Sequence, residues 1–170
     1  MKRALTALAV AALLVVGGIA AYVLLYEGSV AVSVKDASGA WSHVDVTFSS
    51  VDIHRSGMDA ATWDHLSLGT RTVDLAVLTN VSQLLGTARL TPGHYEQMRI
   101  NVSSATGVDS TGHSWTLNVT HGEAKIVEQF DVRSGTQTNI LVDIDLSRCI
   151  IGSAATGYSF TPVIGSVTVG

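Results

Sequence analysis

The sequence predicts an all-β head, a two-layer sandwich with one short helix, preceded by a single transmembrane helix. Three observations lead there. Ala4–Tyr26 runs for 23 residues without a charge. After it, apolar residues recur with period two, the signature of half-buried strands. Turn residues interrupt these runs every 8–12 positions, the spacing of short sandwich strands.

Ala4–Tyr26 is long enough to span about 30 Å of hydrocarbon at a rise of about 1.5 Å per residue. Lys2 and Arg3 precede it and Glu27 is the first acid after it. The positive-inside rule then puts residues 1–3 in the cytoplasm and the head outside. Tyr22 and Tyr26 fall at the outer interface, where amphipathic rings are favoured. Gly18-Ile19-Ala20 offers a small-residue cleavage site, but Tyr22–Tyr26 continues the apolar run beyond it, so the expectation is an uncleaved signal-anchor. Small residues at four-residue spacing, Ala7/Ala11 and Gly17/Ala21, permit close helix–helix approach.

Residues 29–170 are the extracytoplasmic domain, one unit of ordinary size. The chain carries −4, and without Lys2 and Arg3 the remainder has 8 basic against 14 acidic residues, a net −6. No cluster of Lys and Arg is present to attract nucleic acid. Cys149 is the single cysteine, which excludes an internal disulfide and a Cys-based metal site.

The elements follow in order. Ser29–Lys35 alternates Val30, Val32 and Val34 with small or polar residues, and Asp36–Gly39 supplies turn chemistry. Val44, Val46 and Phe48 form one face. Val51 and Ile53 continue it with changed parity, which places a bulge at Ser49-Ser50. Arg55–Asp59 is a loop. Trp63, Leu66 and Leu68 make a short strand, with Gly69-Thr70 turning into Arg71–Leu75. Asn80-Val81-Ser82-Gln83 has the form of a capping box, with Val81, Leu84 and Leu85 on one helical face and Gly86 as the stop. Leu90-Thr91-Pro92-Gly93 is a turn. In His94–Ser103, Met98, Ile100 and Val102 face one way, and Tyr95, Gln97, Arg99 and Asn101 the other. Trp115, Leu117 and Val119 share a face with Asn118 opposite. Ala124–Phe130, Thr136–Leu146 and Tyr158–Val169 complete about nine strands, with Pro162 at a bend or edge. Glu27-Gly28 reads as the hinge between anchor and head. The pattern is that of an immunoglobulin-like or transthyretin-like antiparallel β-sandwich.

Several runs resemble one family. They are Val30–Asp36, Val44–His54, Val73-Asp74-Leu75, Leu90–Ile100 with Val102–Gly107, Lys125-Ile126-Val127, Phe130-Asp131-Val132, Leu141–Asp145 and Pro162-Val163-Ile164. Together, and in this order, they resemble domain-of-unknown-function family 4382. The Pro-Gly-x-Tyr-x-Gln-x-Arg run at 92–99 is the most specific part. The resemblance implies an extracytoplasmic β-sandwich of archaeal and bacterial envelope proteins without assigned catalytic activity. Ser38 departs from it, standing where the family has Pro after Asp-Ala. Lys2-Arg3-Ala4 before an apolar helix is also similar to archaeal type IV pilin precursors.

No nucleophile elbow, phosphate loop or catalytic cysteine context appears. His43 with Asp45, and Asp52 with His54, share strand faces at a spacing compatible with metal ligation. The six histidines are nonetheless scattered, and the expectation is surface imidazoles with no bound metal. Asp143 and Asp145 are read as an outward acidic face rather than a Ca²⁺ site. Tyr95 and Arg99 share a face about 13 Å apart at roughly 3.3 Å per residue, which separates their roles. Catalytic, cofactor and metal residues are therefore expected to be none. The sequons at Asn80, Asn101 and Asn118 are candidate N-glycosylation sites. The expected function is a membrane-anchored, non-enzymatic surface module with a structural, adhesion or interaction role. Its partners would be the membrane, further copies or other envelope proteins. The alternatives are a pilin-like filament subunit and, least, a secreted hydrolase or metal-binding protein.

Overall fold

The computed structural model describes residues 26–36, 40–59, 62–79 and 81–170. Residues 4–25 of the apolar segment, positions 37–39 of the first turn and Asn80 lie outside them. No helix among the described residues is long and apolar enough to cross a membrane.

Among the described residues, twelve strands form two sheets. They are β1 (Gly28–Asp36), β2 (His43–Arg55), β3 (Asp64–Asp74), β4 (Gln83–Leu90), β5 (Gly93–Val108), β6 (Ser114–Val119), β7 (Glu123–Ile126), β8 (Phe130–Val132), β9 (Gln137–Ile144), β10 (Ile150–Ser153), β11 (Gly157–Phe160) and β12 (Ile164–Val169). The smaller sheet has the order β12-β9-β1-β4. The larger runs β10-β11-β6-β5-β2-β3, with β7 and β8 also on β5. Pairing is not wholly antiparallel, since β1·β9 and β6·β11 are parallel. Among the described residues, a 3₁₀ turn (Leu75–Val77) and a one-turn helix α1 (Leu146–Cys149) accompany the strands.

The alternation in the sequence decides which faces meet. Val30, Val32 and Val34 of β1 and Ile140, Val142 and Ile144 of β9 are buried against Val44, Val46, Phe48, Val51 and Ile53 of β2 and Met98, Ile100 and Val102 of β5. Each side chain of this kind contributes about 1.5–3 kcal/mol when fully buried.

The larger sheet is creased along one row. Ser49 is the extra residue of β2, Ser103 that of β5, and the stretch around Gly69 that of β3. The two serines suit the bulges because their hydroxyls reach carbonyls at the break. Ser49 Oγ donates to Asn101 O at 3.3 Å and Ser103 Oγ to Thr47 O at 3.2 Å. The bulge expected at Ser49-Ser50 is therefore present. Gly69, at φ +63°, does not reverse the chain as expected. It sits within β3, because β3 stays paired to β2 on both sides of it.

Further expectations are corrected. The segment around Gln83 is strand, not helix. Leu85 is buried while Leu84 is 42 % exposed, and Gln83 and Leu84 pair with Val34 and Ser33. Joining a ladder satisfies more backbone groups than a single isolated helical turn, which carries the cost of nucleation. Tyr95 does not share the face of Arg99. A bulge at Glu96, between the pairs His54↔Gln97 and Arg55↔Tyr95, turns its ring into the core. Ala124–Phe130 is two strands, β7 and β8, both on β5, and the chain bows outward at Val127, which is 70 % exposed. A hairpin, β10–β11, precedes the bend at Pro162.

Glu27-Gly28 is no hinge. Gly135 N–H donates to Glu27 O at 2.9 Å, and Ser29 N–H to Thr136 O at 3.0 Å. A Cβ on Gly28 would lie 2.4 Å from Val132 Cγ1 and 2.5 Å from Arg133 O. The turn after β8 thus clasps the chain where the head begins. Gly28→Ala is expected to lower unfolding free energy by about 1–3 kcal/mol through overpacking. Chemical denaturation followed by near-UV circular dichroism measures this, and an unchanged midpoint would show that the clasp yields freely.

Candidate functional site

The outer face of the larger sheet carries a polar lattice. Ser50 and Asp52 of β2 stand between Ser67 and His65 of β3 and Asn101 and Arg99 of β5. Asn101 Nδ2 donates to Asp52 Oδ2 at 2.7 Å and to Ser50 Oγ at 2.9 Å, and His65 Nδ1 pairs with Asp52 Oδ1. Arg99 reaches Glu123 at 3.3 Å. Its guanidinium lies 4.0 Å from the centroid of the Trp63 ring, a cation–π contact. Trp63 also covers the buried His54, with centroids 5.0 Å apart. Arg99 has Asp52 across from it on one side and Lys125 on the other, so the face mixes ion pairs with neutral hydrogen bonds. This arrangement supports strand pairing.

Four of the six histidines meet carboxylates of neighbouring strands rather than of their own. His43 Nδ1 lies 2.7 Å from Asp74 Oδ2, not beside Asp45. His54 Nδ1 is 3.4 Å from Glu96 Oε1, while Asp52 is taken by His65. His94 Nδ1 is 2.9 Å from Asp131. Among the described residues no three His, Cys, Asp or Glu side chains converge on a metal position. Asp143 pairs with Lys35 at 3.0 Å, whereas Asp145 accepts from Ser147 Oγ at 2.5 Å, so the two acids serve separate partners. Cys149 is buried. Its sulfur accepts from Val163 N–H at 3.2 Å, and burial pushes the thiol up to about 11. Tyr95 stacks on Phe130 at 5.5 Å and donates to Thr91 O, and burial pushes its phenol up to about 12.

A second cluster was not legible in the sequence. It lies at the end of β5 far from the clasp. Trp41 rests on Gly107, where a Cβ would come within 2.8 Å of its ring. Tyr158 meets Trp41 edge-on at 4.9 Å and Trp115 at 5.1 Å, and His113 lies 4.5 Å from Trp115. All three large rings are half-buried. They pack on the rim of the core. Asp109 organises the adjoining turn. Its Oδ1 accepts from Thr111 N–H, Thr111 Oγ1–H and His113 N–H, and its Oδ2 from the Trp115 indole N–H at 2.8 Å. The bonds from Thr111 and Trp115 hold its carboxyl well below the usual carboxylate range. The one sequence signal for this cluster is Gly107 inside a strand, which marks close approach to a neighbour.

The family model for the domain of unknown function DUF4382 matches residues 27–162. The chain belongs to this family. The DUF4382 match begins one residue before β1 and includes the clasp, the crease and all of the aromatic cluster. It bears out the family resemblance of the head's strand runs. No curated protein matches the chain, and no solved structure does.

The DUF4382 head separates its sequons. Asn118 is exposed on β6, while Asn101 is half-buried with its amide nitrogen committed to Asp52 and Ser50. Asn80 lies outside the described residues. In a host that glycosylates asparagine, peptide mapping is expected to find glycan on Asn118 and none on Asn101. Occupancy of Asn101 equal to that of Asn118 would show that the lattice opens before modification.

The Asp109 carboxylate gives a pH expectation. A carboxyl held low in the folded state contributes stability that is present above its unfolded value and lost as pH falls through the folded one. The Trp115 indole N–H resonance should therefore hold its position through the ordinary carboxylate range near pH 4 and shift only in stronger acid. A midpoint at pH 4 would show that the bonds to Asp109 do not persist in solution.

Proposed function

We propose that the chain is a membrane-anchored, extracytoplasmic display module. An immunoglobulin-like or transthyretin-like head offers its far tip to a partner and carries out no chemistry. The observation that carries this reading is the polarity of the sandwich. The chain enters at the clasped end of β1, immediately after the apolar run, beside the Gly93 end of β5. The aromatic cluster lies beside the Gly107 end of the same strand. Sixteen residues at about 3.3 Å each separate the two ends by roughly 50 Å. Half-buried tryptophan and tyrosine are the residues that dominate recognition surfaces, because they supply large area at low entropic cost. The polar lattice of the outer face suits a wall that stays in solvent.

The test uses the full chain in its membrane. Carbonate washing should leave it in the pellet. Protease added to intact cells should remove the head and leave a fragment containing Lys2 and Arg3. A carbonate-soluble protein, or a head reached only after lysis, would overturn the reading. A mature N-terminus at Leu5 in sheared extracellular filaments would replace it with the pilin-like alternative.

A further inference from the structure

The clasped end of the head carries two arginines, Arg89 and Arg133, that enter no ion pair among the described residues. Arg89, at the end of β4, and Glu27 line an open cleft of about 220 Å³ together with Ser29, Gly135, Thr136 and Gln137. Arg133 and Asp131 line a second, of about 400 Å³, which shares Thr136 and Gln137 with the first. Asp131 is engaged by His94. Arg89 and Arg133 are exposed, and the ion pairs of the described residues include neither, nor Glu27. Among the described residues, the cleft beside Glu27 therefore presents a cation and an anion that no ion pair neutralises. Exposed apolar groups flank this end. Tyr26 is 60 % exposed, and Val169, which lines the second cleft, is 37 % exposed.

Position adds the decisive constraint. Glu27, Gly28 and Ser29 follow Tyr26 by one to three residues, or about 3–10 Å of extended chain. The polar layer outside the hydrocarbon is roughly 5–8 Å thick on each side. Because the entry is clasped rather than hinged, the cleft cannot swing away from the place where the apolar run ends. We infer that the Arg89–Glu27 cleft seats a phospholipid headgroup bearing both a phosphate and an amine. The phosphodiester accepts hydrogen bonds from the Arg89 guanidinium, whose planar fork matches phosphate oxygens, and the ammonium faces the Glu27 carboxylate. Arg133 provides a second phosphate contact on the adjoining face. The inference rests on the proposed anchor, and it adds that the head stands on the bilayer in a fixed orientation.

The test is native mass spectrometry of the full chain in detergent micelles, titrated with a diacyl phosphoethanolamine lipid or with a diacyl glycolipid that lacks phosphate. The wild-type chain should retain the phospholipid in preference to the glycolipid. Arg89→Gln should weaken phospholipid retention about tenfold or more, with an unchanged circular dichroism spectrum because Arg89 is exposed and outside the ion pairs. Arg89→Lys, which keeps the charge but loses the fork, should fall between them. Equal retention of both lipids, or retention indifferent to Arg89→Gln, would overturn the headgroup site while leaving the anchor intact. A chain that stays monodisperse without detergent and retains no lipid would overturn the anchor, and the headgroup site with it.

Discussion

The ladder between β2 and β5 is the constraint on which the head depends. It runs from the pair His43↔Val108 to Arg55↔Tyr95, the length of both strands. β5 then has one further edge, and three short strands share it. β8 pairs near Gly93, β7 near Ile100 and β6 near Gly107. None of these three is long enough to be stable alone, since even an isolated two-stranded hairpin is marginal in water. They are ordered because β5 is already held on its other side. The crease through Ser49, Ser103 and Gly69 lets so long a ladder bend without leaving polar groups unsatisfied, since two of the extra residues carry the hydroxyls that bridge the break.

The sandwich is joined at one margin by side chains rather than by backbone. Leu66 and Leu68 of β3 reach over Gly86 of β4, where a Cβ would lie 2.8 Å from Leu68 Cδ2. Arg71 donates to Leu84 O at 2.9 Å. At the far end of β9, the buried Asp36 carboxylate accepts from Leu146 N–H at 3.0 Å, which secures the passage from the smaller sheet through α1 to the β10–β11 hairpin. A buried carboxylate is costly unless bonded, so this residue ties the end of β1 to a segment 110 positions later. Asp74 acts in a similar way on the other sheet, accepting from Val44 N–H and Ala76 N–H while its second oxygen meets His43.

The two ends of the sandwich therefore differ in chemistry. At the clasp, backbone hydrogen bonds and a glycine without room for a side chain make a stiff entry lined by arginine and carboxylate. At the tip, three aromatic rings cover the rim of the core and one aspartate fixes their turn. The long walls between carry scattered ion pairs and polar side chains. The proposed display reading rests on this distribution, with the chain entry at one end, aromatic rings at the other and a polar wall between.

The sequence by itself determined the strand faces and most of the strands. Alternation is a local property, so Val30–Val34, Val44–Ile53, Met98–Val102 and Val142–Ile144 announce their buried sides without knowledge of any partner. The parity change at Ser49-Ser50 is local in the same way, and so is the bend at Pro162. Only the tertiary structure decided the rest. Leu84 and Leu85 fit a helical face equally well until β1 offers a ladder. Tyr95 points inward only because the pairing with β2 skips Glu96. Glu27-Gly28 looks flexible until a turn more than 100 residues later closes on it. The aromatic tip joins Trp41, Trp115 and Tyr158 from three distant segments. In each case the deciding contact is made across a long stretch of chain, and local periodicity contains no record of which distant strand will arrive.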